Sequence, residues 1–146
     1  MLIEADKKDY SRAFDKHYKA YCAWENTGHD DSKSMILFYC VECGLKYLLM
    51  DKLRILKVSN ATEEIQDKLH SHDLRALLKE LRMNSNKYKF TDFKTIHDST
   101  VSLKQYHEVR RYCIPPKKNF YSTIRQYDAN LYEIAKWINE QRWETR

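Results

Sequence analysis

Met35-Ile36-Leu37-Phe38-Tyr39-Cys40-Val41-Glu42-Cys43-Gly44-Leu45-Lys46-Tyr47-Leu48-Leu49 is the most apolar run of the chain. Within it Leu37, Phe38, Val41, Leu45, Leu48 and Leu49 recur three, four or one apart, a stripe wide enough for several neighbours to cover. A helix from Met35 to Leu56 is therefore expected at the centre of the fold. Asp30, Asp31 and Ser32 can cap it. Upstream, a helix is expected from about Asp6 to Asn26, with Gly28 as the residue free to take the left-handed terminating conformation. Downstream, Asn60 with Glu63 opens a short helix through Leu69, and Ser71 caps another that carries Leu74, Leu77, Leu78 and Leu81.

Thr91 and Asp92 are read as the start of a further long helix. Steps of three and four along it give Phe93, Ile96, Thr100, Leu103, His107 and Arg110. The apolar character drifts onto Tyr106, Val109 and Cys113, which leaves His107 and Arg110 at the border of the buried face. Ile114-Pro115-Pro116 ends that helix, because proline disfavours helix before itself and cannot extend the ladder. The last helix begins near Ser122 and shows Ile124, Tyr127, Leu131, Ile134 and Ile138 at helical spacing.

Composition agrees. In 146 residues there are 2 Gly and 2 Pro, against about 10 and 7 at average usage, so turns for a sandwich or a barrel are lacking. The expected fold class is all-α: an antiparallel up-and-down bundle of four main helices with extra short helices in one connection, forming one domain over residues 1–146. Leu45, Leu48, Leu103, Leu131 and Ile134 are expected to be buried together. No stretch approaches the ~18 apolar residues of a membrane span, and the start of the chain lacks a signal-peptide layout. A cytoplasmic protein with no membrane association is expected, its four cysteines reduced.

The charge is uneven. Residues 87–118 hold eight basic side chains against Asp92, Asp98 and Glu108, so they carry the whole net charge of +5. Tyr88, Phe90, Tyr106 and Tyr112 are interleaved with them, as on a surface that meets phosphate and stacks bases. Lys117 and Lys118 close the basic segment. No metal and no cofactor is expected: Cys40-x-x-Cys43 lacks the further ligands of a zinc site, and the isolated glycines make no phosphate loop.

Three motifs stand in order: Cys40-Val41-Glu42-Cys43-Gly44-Leu45-Lys46-Tyr47-Leu48-Leu49, Ser71-His72-Asp73-Leu74-Arg75-Ala76-Leu77-Leu78, and Arg111-Tyr112 before a proline pair. This order resembles the HEPN family of small helical bundles, named for nucleotide binding, over most of the chain. The resemblance implies a nucleotide- or RNA-associated bundle. It further implies a homodimer, a nucleotidyltransferase as partner, and a setting in a toxin-antitoxin or defence system. Glu42 and Lys46 match the family's helix pair, His72 its connection motif, and Arg111 and Tyr112 its Arg-Tyr. The ribonuclease members carry Arg, four to six residues, then His on a late helix. Here the last histidine is His107, and the one such spacing, Arg12 to His17, falls on the first helix.

The candidate ligand-binding residues are thus Glu42, Lys46, His72, His107, Arg111, Tyr112, Lys117 and Lys118. His107, Arg110 and Arg111 are neighbours on a helix and form the candidate catalytic group of the alternative reading, a metal-independent endoribonuclease. A protein-binding scaffold is the third reading. His107 is expected in a polar pocket within reach of Arg111 or Glu42, contributing more to phosphate binding than to stability.

Overall fold

The computed structural model describes residues 3–25, 30–83 and 87–144, with residues 143 and 144 described by backbone alone. Among them are six α-helices: α1 (Lys7–Cys22), α2 (Asp30–Leu53), α3 (Glu63–Leu69), α4 (Leu74–Glu80), α5 (Tyr106–Arg111) and α6 (Tyr121–Glu144). Two short strands, β1 (Phe93–Lys94) and β2 (Thr100–Val101), complete the order. The fold is all-α in class, and α2 is its central element, with α1, α4, α5 and α6 all packed on it. Its buried residues run from Ser34 and Leu37 to Leu49 and Met50 on every side of the helix, as expected of a helix enclosed by its neighbours.

Contacts between the helices set their directions. The backbone N–H of Lys7 bonds Leu56 at 3.2 Å, so the start of α1 meets the end of α2 and the two run antiparallel. Ser34 bonds Asp128, and Gly44 meets Ile138, so α2 and α6 run parallel. Gly44 has a steric reason to be glycine: a Cβ there would lie 2.8 Å from Ile138 Cγ2 and from Phe14 Cδ2, where α1, α2 and α6 converge. Asp6 fixes the start of α1, taking the Val58 N–H at 3.1 Å while its own N–H bonds Asp9 at 2.9 Å.

Some boundaries differ from expectation. α1 ends at Cys22, and Gly28 lies outside the described residues. Thr62 rather than Asn60 caps α3, and Asp73 rather than Ser71 caps α4. Of the five residues expected in the core, Leu45, Leu103, Leu131 and Ile134 are buried and Leu48 is half-buried.

The long helix expected from Thr91 does not form. Phe93 pairs with Val101 and Lys94 with Thr100 in an antiparallel hairpin, and helix is confined to a 3-10 turn at Leu103–Gln105 and the α-helix Tyr106–Arg111. The buried residues here alternate: Phe93 and Thr95 point in, Lys94 and Ile96 out, with Ile96 50% exposed. Phe93 and Ile96 are three apart by coincidence, and the true period is two. β-branched Thr95, Ile96, Thr100 and Val101 favour that state. The turn is held by Thr95, whose Oγ1 accepts from the N–H groups of His97 (3.2 Å) and Ser99 (3.3 Å). The chain after α5 returns to the hairpin, with Ile96 N–H on Pro115 and Lys117 N–H on Lys94. Cys113, at φ 53°, turns it there.

Candidate functional site

The three motifs meet on one side of α2. Glu42 and Lys46, one turn apart, are 6% and 5% exposed, and Lys46 Nζ lies 3.5 Å from Glu42 Oε2. A half-buried or exposed pair would contribute a few tenths of a kcal/mol; this one is removed from water and needs its partners. Lys46 also lies over the ring of Tyr10 at 5.8 Å. Burial, with Cys43 and Glu42 nearby, pushes the Tyr10 phenol up to about 12.

Ser71-His72-Asp73-Leu74 is a local device for aiming His72. Ser71 Oγ accepts the Asp73 N–H at 2.9 Å, Asp73 caps α4 through the Ala76 N–H at 3.2 Å, and Leu74 is anchored in the core. His72, held between them, sets Nδ1 2.6 Å from Glu42 Oε1. That commits one ring nitrogen to Glu42, on a half-exposed side chain whose Nε2 has no hydrogen-bond partner among the described residues.

His107 of α5 stacks on His72, ring centroids 4.5 Å apart, and packs against Phe38 at 5.1 Å and Tyr39 at 6.2 Å. It is 4% exposed, its Nδ1 has no hydrogen-bond partner, and Nε2 lies 3.9 Å from Glu108. Burial, reinforced by His72, lowers its pKa below the ordinary histidine value. His72 and Tyr39 link His107 to Glu42 and Arg111, and both of those charges act on its ring. His107 is a buried ring backing the site.

Arg111 finishes the cluster. It donates to the Tyr39 hydroxyl and lies 5.9 Å from the ring centres of both Tyr39 and Tyr112. No carboxylate is at ion-pair distance from it among the described residues. Tyr112 is largely exposed. Tyr39, which joins His107 to Arg111, was not singled out in the sequence. Its signal was position, since it lies three residues before Glu42 and so on the same face of α2.

Arg110 does not join its neighbours. Its guanidinium binds Asp31 at 2.9 Å and Asp128 at 3.0 Å, and Asp128 also accepts the Ser34 and Tyr106 hydroxyls at 2.6 Å each. Lys117 pairs with Asp98 across the hairpin, and Lys118 is exposed. Arg12 and His17, five residues apart on α1, project about 140° from one another and make no joint site. Cys40 and Cys43 are unpaired on successive turns of α2, and no group of three or more metal-ligating side chains occurs among the described residues. No helix among them is long and apolar enough to cross a membrane. Comparison with protein-family models, with curated proteins and with solved structures finds no match to this chain.

Proposed function

We propose that the chain is a HEPN-like bundle that binds single-stranded RNA at the edge formed by His72, Tyr39, Arg111 and Tyr112. The observation that carries this reading is the convergence of the three motif segments on one cluster that ends in Arg111, a cation between two phenol rings with no carboxylate partner among the described residues. A guanidinium so placed offers its N–H groups to a phosphate oxygen. The exposed face of Tyr112 offers a base a stacking surface. Glu42 orients His72, and the Lys46 ammonium keeps Glu42 from being an unpaired buried charge. Assembly with a second copy and with a nucleotidyltransferase belongs to the same proposal.

The arrangement supports binding over cleavage. Cleavage of RNA without a metal needs a base at the 2′-hydroxyl and an acid at the leaving oxygen. His72 and His107 touch one another, with no room for a phosphate between the rings. Of the two cations of the ribonuclease reading, Arg110 is held by Asp31 and Asp128, and only Arg111 is left to meet a phosphate. Fluorescence anisotropy with labelled single-stranded RNA tests the proposal. Affinity should fall with salt at a logarithmic slope of about −0.7 per phosphate contact. Absence of binding at low ionic strength would refute it, and RNA cut in the presence of EDTA would revive the enzyme.

A further inference from the structure

A cavity of about 610 Å³ opens between α4 and the stretch 88–91, within the roughly 300–1,000 Å³ of small-molecule sites. Its floor is apolar, from Leu78, Phe90 and Leu103, and Tyr88 forms one wall. Four cations surround it, Arg75, Lys79, Arg82 and Lys89, and no acidic residue among the described residues lines it. Arg75 donates to the Phe90 carbonyl at 3.2 Å; none of the four is at ion-pair distance from a carboxylate among the described residues.

Four like charges around one cavity repel one another, and a ligand that relieves this must carry more than one negative charge. A single carboxylate would leave most of the excess. A phosphate or diphosphate matches it, and Tyr88 with Phe90 offers an aromatic surface to a planar ring. The pocket therefore combines what a base needs with what its phosphate needs. α4 connects it to the histidine cluster: His72 immediately precedes the cap of α4 and Lys79 lies in its last turn. The helix separates them by about 10 Å.

We propose that this cavity seats a nucleoside phosphate, either free or as the 5′-phosphorylated end of a bound RNA strand. The second arm rests on the RNA reading above; the first does not, since no residue is shared between the two sites. A strand held along α4 would then be selected by its terminus as well as by its backbone.

Three measurements decide it. Adenosine, AMP and ADP should bind with affinity rising with phosphate number, by about tenfold from nucleoside to diphosphate. Inorganic phosphate should be weaker than AMP. Second, a 5′-phosphorylated oligonucleotide should bind about tenfold more tightly than its 5′-hydroxyl counterpart. Third, Lys79→Ala/Arg82→Ala, which removes two exposed side chains with no ion-pair partner, should erase both preferences and keep the affinity for 5′-hydroxyl RNA. Arg111→Ala should do the reverse, weakening both oligonucleotides equally and leaving ADP binding intact. ADP binding without any RNA binding would keep the cavity as a site for free nucleotide and defeat the RNA reading alone. Equal affinity for adenosine and ADP, or a phosphate preference that survives in the double variant, overturns the assignment, with circular dichroism confirming that the variant is folded.

Discussion

Two polar clusters share α5, and they are built on opposite terms. At Arg110, two carboxylates meet one guanidinium, and the hydroxyls of Ser34 and Tyr106 both close on Asp128. Each charged group there has an oppositely charged partner, the one excess negative charge resting on two partly exposed carboxylates, and the cluster ties α2, α5 and α6 together. One residue further along, Arg111 leans on two phenols and meets no carboxylate among the described residues, while the His72 side chain is half-exposed. A cluster that exists for the fold closes its own charges. One that exists for a ligand leaves a charge for the ligand to close, and the difference makes the two separable by mutation.

The largest effect is expected where the open cluster is rooted. Glu42→Ala leaves the buried Lys46 ammonium with no carboxylate and takes the orienting partner from His72; a loss of about 3–5 kcal/mol is expected, measured by urea unfolding. Glu42→Met with Lys46→Met removes both charges and should recover most of it. If the double variant is as unstable as the single, the pair is not what holds this region. Arg110→Ala comes next, at about 2–3 kcal/mol, less than for a fully buried pair because Asp31 and Asp128 keep part of their water. The variant, where folded, should bind RNA as before. Loss of binding without loss of stability would reverse the assignment of the two clusters.

Arg111→Ala should change stability by less than about 0.5 kcal/mol, as for other exposed side chains. It should weaken RNA binding about tenfold or more, the worth of a charge-assisted phosphate contact. A titration across salt should show the slope reduced by about 0.7. An unchanged slope would mean that Arg111 does not touch phosphate.

Much of this was legible in the residues. The stripe Leu37 to Leu49 identified the central helix because burial on all sides leaves the sequence apolar all round, and the same crowding made Gly44 obligatory. Glu42, Lys46, His72, Arg111 and Tyr112 could be picked out because each sits in a short motif whose local geometry is nearly self-contained, as Ser71 and Asp73 illustrate. The hairpin was not legible through helical spacing, since Phe93 and Ile96 satisfy a three-residue step as well as they satisfy a turn. The β-branched residues around them carried the better signal. Nor could spacing say which way Arg110 and His107 face. Both were placed at a border, and both are buried because α2 supplies Asp31 to the one and Phe38 with Tyr39 to the other, contacts made across more than 60 residues of chain. The cavity beside α4 was hidden for the same reason, although Lys89 and the aromatic residues flanking it stood out as a basic, base-stacking stretch.

The smallest effect concerns His107 and acid. Its pKa is lowered by burial first and by His72 next, so the folded protein binds fewer protons at this ring than the unfolded chain does. Stability from keeping the ring neutral is then fully present above the unfolded histidine value of about 6.5 and is lost as pH falls from there toward the lowered folded value. The melting temperature should drop between pH 7.5 and pH 5, and His107→Gln, which cannot titrate, should drop less. His17 is also shifted down by burial and acts in the same direction, so the comparison must be made between His107→Gln and the parent with His17 in place in both. If His107→Gln loses as many degrees as the parent, carboxylates elsewhere govern the acid limb and the histidine stack is only packing.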